Sequence, residues 1–242
     1  MIIMEYKQPS IYPFGIRIDE PVTVLTDLLV SIVCFYAYFK LSRTVRKNKV
    51  HQYLKYYFLT MALSTAIGGI IGHGFLYALE RSMDITLEVS PWKLPAWLIS
   101  MFSIMMIERA SIEYARPIIV NPKIGTFFAW LNIVEFITFV IITFVTLNFF
   151  FVQVHAAYGL LVVVTSFNIY VYWKKKTEGS KTFLFAIVFA ALSALVFLNK
   201  WGISPWFTHF DISHVLMSIS AWIFYKAGKH VLTNPVLSDR KV

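Results

Sequence analysis

Apolar residues run along this chain in long continuous stretches broken by short polar segments. Strict apolar–polar alternation, the mark of half-buried strands, is absent, so the runs read as helices. A helix needs about 20 mostly apolar residues to cross a hydrocarbon core about 30 Å thick. By that measure, residues 21–41, 53–79, 92–107, 183–198 and 205–227 are candidate spans. Between the third and fourth of these lies one apolar stretch from Ile124 to Trp173, too long for one span and right for two. A turn at residues 151–155 would divide it into spans 124–146 and 153–173. The pattern predicts an all-α integral membrane protein, a single domain over residues 1–242 built as a seven-transmembrane-helix bundle. Barrel strands would give weak alternating segments instead.

Composition agrees, with 58% hydrophobic and only 14% charged residues, where a soluble domain carries about 25% charged. The net charge of +9 could suggest nucleic acid, but the basic residues cluster in short connections between spans. Lys40, Arg43, Arg46, Lys47, Lys49 and Lys55 follow span 1; Arg109, Arg116 and Lys123 follow span 3; Lys174, Lys175, Lys176 and Lys181 follow span 5; Lys226, Lys229, Arg240 and Lys241 follow span 7. Only Lys7, Arg17, Arg81, Lys93 and Lys200 fall on the other side. That bias puts the N-terminus out and the C-terminus in, as an odd number of spans requires. No nucleic-acid partner is expected. The first 20 residues lack a signal-peptide pattern, so the first span should direct its own insertion. The single cysteine, Cys34, excludes an internal disulfide. Short loops lean toward a bacterial, multi-pass protein of the inner (plasma) membrane.

The acidic residues show the opposite bias. Glu20, Asp27, Asp84, Glu88 and Asp211 fall toward the outer side, as do His73, His155, His209 and His214. Ionisable groups in a membrane are costly and default to a functional reading. Three imidazoles suit zinc with an open fourth position, and His73, His209 and His214 can supply them. His209 and His214 sit about 140° apart on an ideal helix. They converge only if His209 is at the first turn. Thr208 as N-cap with Asp211 at N3 would put it there; Ser204-Pro205 is an equally good helix start. Plainer readings stand beside these. Each histidine could be an interface residue, Asp211 a helix cap, and Asp84 and Glu88 solvated loop residues. Glu135, three residues after Asn132, could be a proton relay or a buried structural carboxyl. Glu108, Arg109, Glu113 and Arg116 have spacings suited to local pairing.

On these residues the chain resembles the CREST superfamily of seven-span membrane hydrolases, which includes the alkaline ceramidases and the adiponectin-type receptors. The N-out orientation resembles the ceramidase branch. The resemblance implies zinc held by one His of span 2 and two of span 7, here His73, His209 and His214. In ceramidases the span-2 motif is Ser-x-x-x-His followed eleven residues later by Asp. Here Gly69 stands at the Ser position, and Asp84 follows His73 at that distance. Asp84 would be the catalytic acid–base, with Asp211 beside the metal, and Glu20 and Asp27 would match acidic or amide residues at the start of span 1. The span-7 pair departs from the family, with four residues between the histidines rather than three. The implied activity is zinc-dependent hydrolysis of a lipid amide or ester at the outer leaflet, with a membrane lipid as substrate. Two other readings stay open: a transporter or receptor without catalysis, which mid-span Glu135 favours, and a metal that only staples helices.

Overall fold

The computed structural model describes residues 6, 8–44, 48–83 and 89–235. Asp84 and Glu88 lie outside the described residues. The described chain is helical, with isolated bridges at Ile11–Ile18 and Ser204–Phe207 but no strand.

Helix α1 (Pro21–Ser42) opens on a proline, whose missing N–H costs nothing at a first helical position. Helix α2 (Lys49–Ile67) is capped by Asn48, whose side chain accepts the His51 N–H at 2.8 Å. It continues as a π-helical segment, Gly68–Gly74, and stops at Phe75. The expected span 53–79 therefore ends early, and a separate short helix, α3 (Leu76–Met83), follows. Helix α4 (Leu94–Ala115) runs past Glu108 and Arg109, where the apolar pattern predicted its end. Helix α5 (Pro122–Thr146) stops at Leu147, whose φ of 51° is left-handed. Asn148 then caps α6 (Phe149–Ala157). The break thus falls before the 151–155 turn expected from sequence, because Asn148 can cap a helix and Phe151–His155 cannot. A second π-helical segment, Tyr158–Val164, joins α6 to α7 (Thr165–Lys175). Helix α8 (Glu178–Leu198) and helix α9 (His209–Thr233) complete the bundle. Of the two starts open for the last helix, the structure has Thr208 as N-cap.

The rods form a closed ring. Helix α1 packs on α2, α2 on α4, α4 on α5, α5 on α6, α7 on α8, α8 on α9, and α9 back on α1. Helix α4 also touches α6 and α7, which places its middle inside the bundle. Among the described residues, five rods are long and apolar enough to cross a membrane: Pro21–Ser42, Lys49–Gly74, Pro122–Thr146, Phe149–Lys175 and Glu178–Leu198. Helix α5 shows why water is a poor solvent for this surface. Phe127, Trp130, Val134, Ile137, Ile141 and Phe144 all face outward. A helix whose outward face is this apolar belongs in an apolar medium. Helices α4 and α9 are as long as these rods. Their mean hydropathy is lowered by Glu108 and Arg109 in one, and by His209, Asp211 and His214 in the other. Those residues build the two polar clusters inside the bundle.

Candidate functional site

The first cluster lies at the end of the bundle where α1 begins and α9 begins beside it. Asp211 is fully buried in the first turn of α9. Its Oδ2 accepts the backbone N–H and the hydroxyl of Thr208, the latter at 2.8 Å. The same oxygen accepts Gln8 Nε2 at 3.2 Å, while Oδ1 accepts the Thr23 hydroxyl at 3.0 Å. Gln8 in turn accepts the N–H groups of Val22 and Thr23 at the start of α1, at 2.9 and 3.2 Å. Asp211 therefore caps α9 and ties it to α1 and to the N-terminal segment. With both oxygens engaged and no exposure, it braces the fold, as the helix-cap reading of Asp211 expects.

Four residues beyond Thr23, Asp27 points into the space between α1, the first π-helical segment and α9. Its carboxylate meets two imidazoles. His214 Nε2 lies 3.4 Å from Oδ1, and His73 Nε2 lies 3.9 Å from Oδ2. The two rings are 6.4 Å apart. Each ring is held by its other nitrogen: His73 Nδ1 sits 2.5 Å from Glu20 Oε2, and His214 Nδ1 sits 3.2 Å from Thr26 Oγ1. Thr26 spends its hydroxyl proton on Thr23 O at 3.1 Å or Asp211 Oδ1 at 3.4 Å, so its oxygen is left to accept from His214 Nδ1–H. Burial pushes the Glu20 carboxyl up, but the hydrogen bond and charge of His73, with Lys93, outweigh this and lower it below its ordinary value. An ionised Glu20 accepts the His73 Nδ1–H. In their neutral forms both histidines then turn an Nε2 lone pair toward one carboxylate. Acceptors facing acceptors require a cation or proton between them.

His209 stands apart from this pair. It is buried, with its ring 5.6 Å from Phe197 and 4.3 Å from Phe210. Phe210 is also 5.5 Å from the His73 ring, so it packs against both histidines. His209 lines a cavity of about 220 Å³ together with Tyr6, Gln8, Glu20, Thr23, Thr208 and Phe210. The structure thus brings His73 and His214 together around Asp27 and sets His209 on the neighbouring wall. Of the three histidines expected to hold zinc, His73 and His214 therefore lie beside Asp27, while His209 lines the cavity. Two imidazoles and one carboxylate are donor types that zinc takes. The Glu20 and Thr26 contacts are the outer supports such ligands usually have.

The second cluster lies along the middle of α4. His155, expected at an interface, is fully buried. Its Nδ1 is 2.6 Å from Glu135 Oε1 and its Nε2 is 2.9 Å from the Met101 carbonyl. Glu108 joins them, and the ligand atoms of Glu108, Glu135 and His155 all fall within 4.8 Å of one another. Glu108 does not pair with Arg109. Its Oε2 accepts Asn132 Nδ2 at 2.9 Å, and Arg109 Nε donates to the same amide's Oδ1 at 3.0 Å. Glu113 and Arg116 do pair locally, at 2.8 Å. The signal for Glu108 lay on the facing helix, where Asn132 and Glu135 share one face of α5.

Fold and clusters together define an all-helical protein with apolar, span-length rods and two interior groups of histidines and carboxylates. The chain belongs to the family described as Family of unknown function (DUF6962), whose profile matches residues 22–233. No curated protein and no solved structure matches it.

Proposed function

We propose that this chain is a zinc-dependent membrane hydrolase that cleaves a lipid amide or ester from the outer leaflet. In this reading the seven long rods all cross the membrane, with the N-terminus outside, and the Asp27 cluster lies at the outer level. The observation that carries the proposal is the geometry at Asp27: two histidines, each held through Nδ1, present Nε2 to one carboxylate at 3.4 and 3.9 Å.

His73, His214 and Asp27 would hold the metal. Zinc bound there would supply Lewis acidity toward a scissile carbonyl and make water a nucleophile near neutral pH. The chain's own residues do the rest. Glu20 and Thr26 fix the ring orientations, so little reorganisation is needed. The cavity beside Glu20 and His209 receives the polar head of the lipid. His209 and Glu20, both on its wall, are placed to exchange protons with the leaving group. A lipid substrate fits because the site adjoins apolar rods at the depth of an acyl amide or ester.

Purified protein should contain zinc and should hydrolyse a fluorescent ceramide or acyl ester. His214→Ala and Asp27→Asn should lose activity together with the metal bound at the Asp27 cluster. Wild-type protein that is folded and inactive on both substrate classes would overturn the hydrolase reading. Activity that survives in Asp27→Asn would overturn the site.

A further inference from the structure

We infer that Glu108, Glu135 and His155 form a second site, for a divalent transition metal, in the middle of the bundle and independent of the Asp27 cluster. Three rods supply the ligands: α4 carries Glu108, α5 carries Glu135 and α6 carries His155. Their ligand atoms lie within 4.8 Å of one another, close enough for one small ion to reach all three.

The tautomer of His155 favours metal binding. A carbonyl oxygen can only accept, so Nε2 must carry the proton that goes to Met101 at 2.9 Å. In neutral His155 the lone pair is then on Nδ1, which faces the carboxylates. Metal-bound histidines commonly donate their other N–H to a backbone carbonyl in this way.

The carboxylates offer free oxygens. Glu108 is fully buried and Glu135 nearly so. Glu108 Oε1 and Glu135 Oε2 are buried and find no donor among the described residues. Such oxygens are costly to bury unless a cation or proton meets them. The backbone makes space for this arrangement at Gly159, in the second π-helical segment. A Cβ there would stand 2.6 Å from Glu108 Oε1 and 2.4 Å from Ile104 Cγ2. The guanidinium of Arg109 reaches Glu108 through Asn132 and not directly. One nitrogen and two carboxylates suit zinc and its neighbours manganese, iron and cobalt. They are too few for calcium, which takes six to eight oxygens.

The test uses the full chain in detergent, loaded with zinc chloride, desalted and assayed for metal per chain. His73→Ala/His214→Ala removes the ligands of the Asp27 cluster, so one zinc per chain should remain. Adding Glu135→Gln or Glu108→Gln should remove it. Cobalt loaded in the double-His background should give a visible absorption band that Glu135→Gln abolishes. If the glutamine variants do not fold, Glu135→Asp keeps the charge and should weaken zinc binding about tenfold or more. A folded double-His variant without metal overturns the inference, as does metal content indifferent to Glu108 and Glu135, which would mean that the cluster holds a proton only. Failure of the Asp27 metal site, on which the hydrolase reading rests, leaves a different signature: wild type and the double-His variant would then bind equal metal.

Discussion

Gly69 meets Asp27 so closely that a Cβ built on the glycine would stand 2.8 Å from the Cβ of Asp27. No side chain fits there without moving backbone. The ceramidase-like motif expected from the sequence would place a serine here. Here the space beside the second rod is taken by an aspartate from the first. Gly69→Ser should therefore force α1 away from the π-helical segment and swing Asp27 from between His73 and His214. Overpacking of this kind costs about 1–3 kcal/mol. Thermal unfolding should show that loss together with lower zinc content. A variant with wild-type stability and metal would contradict the close packing.

The brace at Asp211 makes a second expectation. Asp211→Ala strips the cap from α9 and takes the acceptor from Thr23 and Thr208, while Gln8 Nε2 keeps only the Trp206 carbonyl. A lost cap costs about 1 kcal/mol, and each stranded buried donor adds about 1–3 kcal/mol. Denaturant titration in detergent should therefore show a loss of at least about 2 kcal/mol. Gln8→Ala, which removes the N-terminal strap but keeps the cap, should cost less. Equal losses would mean that the strap, not the cap, dominates.

Much of this fold was legible because span length and apolar content are properties of single segments. The capping box Thr208–Asp211 was readable for the same reason: it needs four consecutive residues. What the sequence hid was pairing across helices. Glu108 next to Arg109 looks like a local charge pair, yet Glu108 turns toward Glu135 and His155 while Arg109 turns to Asn132. Gln8 has no local signature, and its role exists only because Val22, Thr23 and Asp211 converge on it. The Gly68–Gly74 segment offered four glycines, but only the approach of Asp27 tells why Gly69 must be one. The approach of Asp27 to His73 and His214 is likewise a contact across helices, which no single segment of sequence spells out.

Metal removal should act on stability as well as activity. A ligand that binds only the folded state stabilises it by about 4 kcal/mol when present at about a thousand times its dissociation constant. Chelation of zinc-loaded wild type should therefore lower the unfolding temperature, and added zinc should restore it. In Asp27→Asn the portion of that shift owed to the Asp27 cluster should vanish. A chelator-induced shift identical in wild type and Asp27→Asn would exclude metal at His73 and His214.

The seven-span, N-out arrangement can be tested because the chain has one cysteine and buries it: Cys34 is 0% exposed. A bulky membrane-impermeant maleimide should leave wild-type protein unlabelled. Tyr12, before α1, is well exposed at 64%, and Thr233, at the end of α9, is also exposed. Tyr12→Cys should label in intact cells, whereas Thr233→Cys should label only after the membrane is opened. The reverse pattern would invert the bundle and move the Asp27 cluster to the inner leaflet. Labelling of both positions from one side would mean an even number of crossings. Helix α4 or α9, the two rods whose buried charges lower their hydropathy, would then be the segment that stays out of the membrane.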